Sequence, residues 1–501
     1  MSRCNANTAR ASSSPHSPTT RPPQVGWPRQ GRKLKHLLPG RRAPRASGWA
    51  LLLLLSTTKA WAQSAQLPPA VGDAQVPEQA PKTIWQQDTL TGDWGGARTW
   101  LSDRGVTFNM KETDEVFGNA SGGLRRGATF DGLTKMGLGL DLEKLMGWQG
   151  GSLTVTAYQI HGRGLSATYV GNLLEVSNIE AESGTRLADL YLEQRLFGDM
   201  VNLRIGQFAA DEEFATSDVA DVFLNSTFGW PGVFGTDLPN GGPAYPFSTP
   251  GLRVRVNLDD EAGIQSAVFS GNPLGHNANP GGIHFPIDGV FAVVEAHYST
   301  MPGKDDAGLG GNFKIGGWYN SLHFDDLHLD DTGQSLASPI SSGVPATHAG
   351  NYGLYALVDH QLYRVPGTAD GGLSGFARFA TTPQQNRNAL YVHADAGLIW
   401  KGTFPGRKDD TVGVAFVWSN VSHALRSLRM DTNFFTGEEA PIQSAEMVLE
   451  LTYQAPITPW LTVQPDFQYV IHPGGNVPEP GNPAQVLKNA AVFGLRGSVT
   501  F

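Results

Sequence analysis

Apolar and polar residues alternate along most of this chain, and the alternation restricts its fold more than any other feature. In the stretch GLRVRVNLDD, Leu252 and Val254 fall on one face, whereas Arg253 and Arg255 fall on the other. A period of two residues is typical of strands with one apolar and one polar face. Sixteen such segments follow one another between residues 106 and 501. The sequence therefore predicts an all-β protein.

The number of segments and the connections between them favour a closed barrel. Outer-membrane barrels made from one bacterial chain have an even number of antiparallel strands, short turns at one end and longer loops at the other. Here short turns such as Gly198-Asp199 alternate with long runs rich in Gly, Pro and Asn. Sixteen strands also leave a water-filled lumen. We expect a 16-stranded antiparallel transmembrane β-barrel over 106–501; a soluble β-sandwich or propeller is the alternative.

The N-terminal region has the organisation of an exported protein. Residues 41–62 contain three arginines, a short leucine run and the sequence Ala-Trp-Ala, which is the order of a secretory signal. We expect 1–62 to be leader and signal peptide, cleaved near Ala62. A flexible periplasmic linker over 63–89 and a short helical segment over 90–105 would then precede the barrel. The expected location is the outer membrane of a Gram-negative bacterium.

Charge and residue spacing exclude several classes of function. The chain has 37 basic and 46 acidic residues, and 11 of the basic ones precede residue 63, so the remainder carries 26 against 46, or −20. Nucleic acid is not an expected partner, because phosphate binding needs a basic face. The single cysteine, Cys4, lies in the leader. No HExxH or GxSxG motif occurs. We expect no enzyme, metal or cofactor, although a serine–histidine pair that meets only in space remains open.

Six stretches in the same order resemble the carbohydrate-selective porins of the OprB type, and the likeness runs from Leu90 to Phe501. They are LTGDWGGARTWL, LDLEKLMGWQGG, RLADLYLEQRLFG, LRIGQFAADEEFATSDVADVFLNSTFGWP, YPFSTPGLRVRV and ITPWLTVQPDFQYVIHPGG. The resemblance implies passive diffusion of monosaccharides and small neutral solutes. It also implies three partners: small sugars, outer-membrane lipid and the barrel assembly machinery. A homo-oligomer, a general or cation-preferring porin and a soluble periplasmic carbohydrate-active protein remain alternatives.

The longest connection, 209–250, is expected to fold inward as a constriction loop, with an ordinary outer surface loop as the alternative. Its carboxylates and aromatic rings would then line the passage. These residues are Asp211, Glu212, Glu213, Phe214, Phe228 and Trp230.

Alternation also predicts which charged residues face the lumen. Such groups can exchange weak hydrogen bonds with sugar hydroxyls, or they can simply hydrate the lumen and pair across it. We favour Arg253 and Arg255, because guanidinium groups present a fixed fork of donors. The complete set is Asp189, Glu193, Arg195, Arg204, Arg253, Arg255, Glu450, Asp466 and Arg496.

The final stretch, FGLRGSVTF, alternates in the same way and is expected to be the strand that closes the barrel. The resemblance implies that the terminal Phe501 is a signal read during assembly.

Overall fold

The computed structural model describes residues 83–300, 308–368 and 370–501. The expected leader, its cleavage position near Ala62 and most of the expected linker lie outside these residues.

Within the described residues, sixteen strands form one closed antiparallel barrel, and two shorter strands form a separate hairpin, β16–β17. Each barrel strand pairs with its sequence neighbours, except that β15 pairs with β18 across the hairpin, and β18 pairs with β1. The fold class predicted from alternation is confirmed. The strands are β1 Val106–Ser121, β2 Gly127–Asp141, β3 Gly151–Gly162, β4 Gly184–Leu196, β5 Val201–Phe208, β6 Thr249–Asn257, β7 Ala262–Ser270, β8 Val290–Thr300, β9 Gly311–Asp330, β10 Pro345–Arg364, β11 Gly372–Thr381, β12 Leu390–Lys401, β13 Thr411–Val421, β14 Ala445–Thr458, β15 Leu461–Ile471, β16 Pro478–Glu479, β17 Asn482–Val486 and β18 Ala490–Thr500.

The helices of the described residues are short and lie outside the strands. None of them has the length and apolar content needed to cross a bilayer. They are α1 Ala97–Asp103, α2 Leu142–Met146, α3 Ser226–Gly229, α4 Gly232–Asp237, α5 His423–Thr436 and α6 Pro473–Asn476.

The N-terminal segment lies against the seam between β1 and β18. The backbone N–H of Phe501 donates to the Met110 carbonyl at 2.9 Å, and the Arg98 guanidinium of α1 donates to the Phe501 carbonyl at 2.7 Å. Leu90 N–H donates to the Thr500 carbonyl at 2.8 Å. The last strand therefore has hydrogen-bonded neighbours on both sides, and the sheet has no free edge there.

Exposure follows the alternation. On β6, Leu252 is 41% exposed on the outer face, whereas its neighbour Arg253 is 1% exposed and points inward. The outer face is apolar because a lipid environment offers no partner to charged groups. β9 and β10 are 20 residues long each, because β9 continues to Asp330 and β10 begins at Pro345.

The hydrophobic core lies inside the barrel. Residues 209–248, between β5 and β6, fold into the lumen, and we call them the inner segment. The inner-segment rings Phe223 and Phe228 pack on Phe376 of β11, and Phe234 packs on Trp318 of β9 and on Tyr355 of β10. The prediction that this connection folds inward therefore agrees with the structure, and the outer-loop alternative does not.

Candidate functional site

A buried ion pair holds the inner segment against β11 and β12. Arg378 donates to both carboxylate oxygens of Asp395, at 3.1 and 2.7 Å, and both side chains are fully buried. The same guanidinium donates to the carbonyls of Thr227 at 2.7 Å, Phe228 at 3.1 Å and Ala215 at 3.1 Å. With a longer bond to the Gly229 carbonyl at 3.4 Å, one arginine thus donates to four inner-segment carbonyls in the barrel interior.

Carboxylates of the barrel wall accept hydrogen bonds from backbone N–H groups and a hydroxyl of the inner segment. Glu450 on β14 accepts from the backbone N–H of Leu224 at 2.5 Å and of Asn225 at 3.0 Å. Asp359 on β10 accepts from the Ser217 hydroxyl at 2.5 Å. Buried backbone donors need such partners, so these wall carboxylates position the segment.

Two further carboxylates complete this set of anchors. Glu295 on β8 accepts from the Ala215 N–H and from the Tyr355 hydroxyl, each at 2.9 Å. Asp237, at the end of α4, accepts from the Thr382 hydroxyl and the Ala389 N–H, each at 2.8 Å. Burial raises the pKa of Asp237 to about 8.

This packing corrects part of the sequence-based site. Glu450 is fully buried, and Asp466 is buried beside it with Gln468 donating to its carboxylate at 3.0 Å. Phe214 and Phe228 are also buried in the interior core. None of the four faces water, so their expected contact with a solute does not fit the structure. Glu450 binds the inner segment, and Phe214 and Phe228 pack that segment into the barrel interior.

A second group of charges lies at the opposite side of the inner segment, on β4, β5 and β6. Arg204 donates to Glu193 from Nε at 2.9 Å and from Nη2 at 2.7 Å, and its Nη1 lies 2.5 Å from Glu213 of the inner segment. Its guanidinium carbon lies 4.0 Å from the centre of the Tyr191 ring. Ion pairs and the ring thus fix this guanidinium in one plane.

Arg253 lies behind the same two carboxylates. It donates to Asn202 Oδ1 at 2.5 Å and to Glu193 at 3.2 Å, and its Nε is 3.3 Å from Glu213. Its side chain is almost fully buried. Arg253 therefore supports the cluster and does not present its guanidinium to the lumen, in contrast to the expectation from alternation alone.

Arg255 is the accessible arginine of this group. Its side chain is 37% exposed, while Nε and Nη2 donate to Gln265 at 3.0 and 2.8 Å and Nη2 also donates to Glu213 at 3.0 Å. A guanidinium held on one edge and open to water on the other has free donors in a fixed direction. We call Arg204, Arg253, Arg255, Glu193 and Glu213 the arginine cluster.

The inner segment continues this charged surface toward β2 and β3. Glu212 accepts from Lys135 at 2.9 Å and from the Tyr158 hydroxyl at 3.3 Å, and both members of the ion pair are partly exposed. The adjacent Asp211 accepts from the Tyr245 N–H at 2.9 Å, and burial raises its pKa to about 7.

The remaining sequence-predicted residues do not join the arginine cluster. Asp189 is buried next to a β-bulge on β4. Arg195 lies near the short β4–β5 turn, 3.7 Å from Asp199. Arg496 on β18 forms an ion pair with Glu115 of β1. Trp230, half-buried, donates from its indole to an inner-segment carbonyl.

A cavity of about 210 Å³ lies at the short-turn end of the barrel interior, beside β1 to β4. Arg195 is the one long charged side chain in its lining. The lining residues are Thr107, Gly139, Leu140, Asp141, Gly151, Ser152, Leu153, Thr154 and Arg195.

Sequence reasoning missed the residues that hold the inner segment. Arg378 and Asp395 stand on the inward face of their strands, and alternation alone marks both as candidates. Their role depends on carbonyls about 150 positions earlier in the chain, and no local pattern shows that pairing.

A closed sixteen-stranded barrel with a charged lumen, narrowed by one of its own connections, defines a porin. The sequence model of the carbohydrate-selective porin, OprB family, matches residues 125–501, which is most of the chain. The chain belongs to this family. It is thus a passive outer-membrane channel for carbohydrates.

Individual relatives agree with this assignment. Porin B of Pseudomonas aeruginosa is 26% identical over 446 residues, which cover 84% of this chain and 92% of that protein. The high-pH structure of Pseudomonas putida OprB is 26% identical, covers 84% of this chain and 100% of that one, and superposes with a TM-score of 0.75. The low-pH structure of the same protein gives 20% identity and a TM-score of 0.52, which supports the fold alone.

Proposed function

We propose that the arginine cluster and the Lys135–Glu212 pair form the constriction that selects small neutral sugars. The observation that carries the proposal is the state of Arg255: its guanidinium is fixed by Gln265 and Glu213, yet more than a third of the side chain meets water. Fixed donors can replace part of the hydration of a sugar hydroxyl, and each contact is weak enough to be left quickly.

The charge balance of the cluster favours neutral solutes over cations. Three arginines face two glutamates, while Lys135 and Glu212 balance each other. The local charge is thus not negative, even though the chain beyond residue 62 carries −20. A cation-preferring porin needs acidic groups at its narrowest region, so we consider that alternative less well supported.

Liposome swelling tests the proposal. Vesicles containing the full barrel should swell faster in glucose than in an amino acid of similar size. Equal rates for the two solutes would reject sugar selectivity. Unchanged glucose flux after joint replacement of Arg253 and Arg255 by alanine would reject the assigned residues while leaving the porin class intact.

We also propose that export and assembly use the two ends of the chain. Residues 1–62 would be removed during export, and N-terminal sequencing of protein from outer membranes should begin near Gln63. Phe501 would serve assembly, because it completes the hydrogen bonding of the β1–β18 seam. Deletion of Phe501 should reduce the amount of folded barrel in the membrane and leave the sugar preference of the remaining barrels unchanged.

A further inference from the structure

Five polar side chains form a patch on the outer face of the barrel, away from the lumen. Alternation places them outward. Val116, the next residue on the same face of β1, is 53% exposed, whereas Glu115 and Phe117 on either side of Val116 point inward and are buried. The five residues, which we call the outer patch, are Glu112 and Asp114 on β1, Thr134 on β2, and Gln159 and His161 on β3.

The surroundings of the outer patch are apolar. Glu112 is paired with Val499 across the seam, Asp114 is paired with Gly497, and Phe130 covers one side of the His161 ring at 5.7 Å. Among the described residues, His161 is the one basic partner of the two carboxylates. Charged groups on the lipid face of a barrel are destabilising, so two carboxylates here require a counter-charge.

The hydrogen bonds orient the His161 ring. The Gln159 amide nitrogen donates to the Ile160 carbonyl at 3.4 Å, so its oxygen Oε1 is the acceptor for the Thr134 hydroxyl at 3.2 Å and for His161 Nδ1 at 3.0 Å. By this network Nδ1 carries hydrogen. In the neutral ring, the lone pair of Nε2 then points at the carboxylates. A metal-binding histidine commonly donates its other ring N–H to a neighbouring acceptor, which fixes the orientation of the ring.

The three facing atoms have the separations of metal ligands. His161 Nε2 lies 3.1 Å from Asp114 Oδ1 and 3.6 Å from Glu112 Oε1, and one ligand atom from each residue lies within 4.8 Å of the others. Metal–ligand bonds of about 2.0–2.1 Å in a tetrahedron place neighbouring ligands roughly 3.3–3.4 Å apart. The two observed distances bracket this value.

A glycine keeps the space between these atoms open. Gly132 on β2 lies between β1 and β3, and a Cβ atom there would be 2.2 Å from His161 Nε2 and 2.6 Å from Asp114 Oδ1. A larger residue at this position would therefore fill the point where the ligand atoms converge. This observation is independent of the charges and indicates the same site.

We propose that Glu112, Asp114 and His161 bind one divalent transition-metal cation, with zinc as the best match to one imidazole and two carboxylate ligands. The cation neutralises the carboxylates on the lipid-facing surface and links β1 to β3 across β2, next to the closing seam. Two ligands lie on β1 and the third on β3, and His161 is 47 positions from Asp114 in the sequence. A search for metal ligands at short spacing therefore does not find them. The sequence expectation of no metal is replaced by this proposal.

Isothermal titration calorimetry tests the site: zinc is titrated into the full refolded barrel in detergent micelles, and the stoichiometry of binding is measured. The wild type should bind one equivalent, and His161→Ala should lose this binding. His360→Ala is the matched control, because His360 is also outward-facing and packs on an aromatic ring, Phe313, at 6.4 Å. It should bind zinc like the wild type. Absence of stoichiometric binding by the wild type, or its retention in His161→Ala, would overturn the proposal.

Two further variants keep the test independent of folding defects. Gln159→Leu retains all three ligands and should weaken zinc binding about 10-fold, because the ring loses its orienting partner. The double variant Glu112→Gln, Asp114→Asn preserves side-chain shape and should abolish zinc binding. A folded barrel migrates differently on a gel before and after boiling, and the double variant should keep this difference. If these variants change the oligomeric state and the wild type binds no zinc, the patch is covered by a second barrel, and the metal proposal is wrong.

Discussion

The inner segment divides the lumen into two regions that use the same residue types in different ways. Toward β7–β15, the closed region, Arg378 and Asp395 are fully buried and bind backbone groups. Toward β1–β6, the open region, Arg255 and Glu212 keep 37% and 36% of their side chains exposed. Charged pairs are therefore fully buried in the closed region, whereas Arg255 and the Lys135–Glu212 pair of the open region meet water. Burial, and not residue type, separates the anchoring residues from those that we propose to contact the solute.

Replacing Arg378 should give the largest effect, and it tests the closed region. Arg378→Ala removes the arginine partner of the buried Asp395, which keeps His393 at 3.3 Å, and takes a donor from four inner-segment carbonyls, so the free energy of unfolding should fall by about 3–5 kcal/mol. The loosened segment should also raise single-channel conductance. Urea unfolding in micelles and planar-bilayer recordings measure the two effects.

Lys401→Ala is the control for that variant. Lys401, at the end of β12, forms an ion pair with Asp370 of the β10–β11 turn, and 32% and 71% of the two side chains are exposed. Such pairs contribute about 0–1 kcal/mol, so stability and conductance should barely change. Equal losses in the two variants would contradict an anchoring role specific to Arg378.

A matched pair of glutamates compares the regions directly. Glu450→Gln replaces one of the two carboxyl oxygens that accept backbone N–H groups by an amide nitrogen, which places a donor among donors, so it should cost about 1–3 kcal/mol. Glu212→Gln, in the open region, should cost less than about 1 kcal/mol and change ion selectivity instead. The comparison of two regions fails if Glu212→Gln is the more destabilising change.

The pH dependence of stability tests Asp237, which anchors α4 on the closed side. Burial raises the pKa of Asp237 from its ordinary value of 3.8 to about 8 in the folded protein. Between these values unfolding releases a proton, so stability should fall as pH rises, by about 1.4 kcal/mol per unit for this one group. Asp237→Asn should flatten the curve between pH 5 and 8, whereas Asp288→Asn, in an exposed loop, should leave the slope unchanged.

The sequence predicted the barrel well because alternation is a local property of each strand. Alternation predicted the sixteen strands and their inward faces, and the length of the connection 209–250 predicted its inward course. Alternation could not distinguish the partly exposed Glu193 from the buried Glu450, because both side chains point inward. The path of the inner segment decides which of the two is covered. The same alternation places Glu112 and Asp114 on the apolar face of β1, and the stretch KETDEV therefore contains a local signal for the outer patch.

The central claim is that the open region contacts the sugar while the closed region only shapes the passage. The most direct test is the glucose dissociation constant, measured from the block of ion current through single channels of Arg255→Gln. We expect glucose binding about tenfold weaker, with the free energy of unfolding within about 1 kcal/mol of the wild type. The charge-matched control Lys408→Gln, in an exposed turn, should bind glucose like the wild type. An unchanged glucose constant in Arg255→Gln would contradict the account.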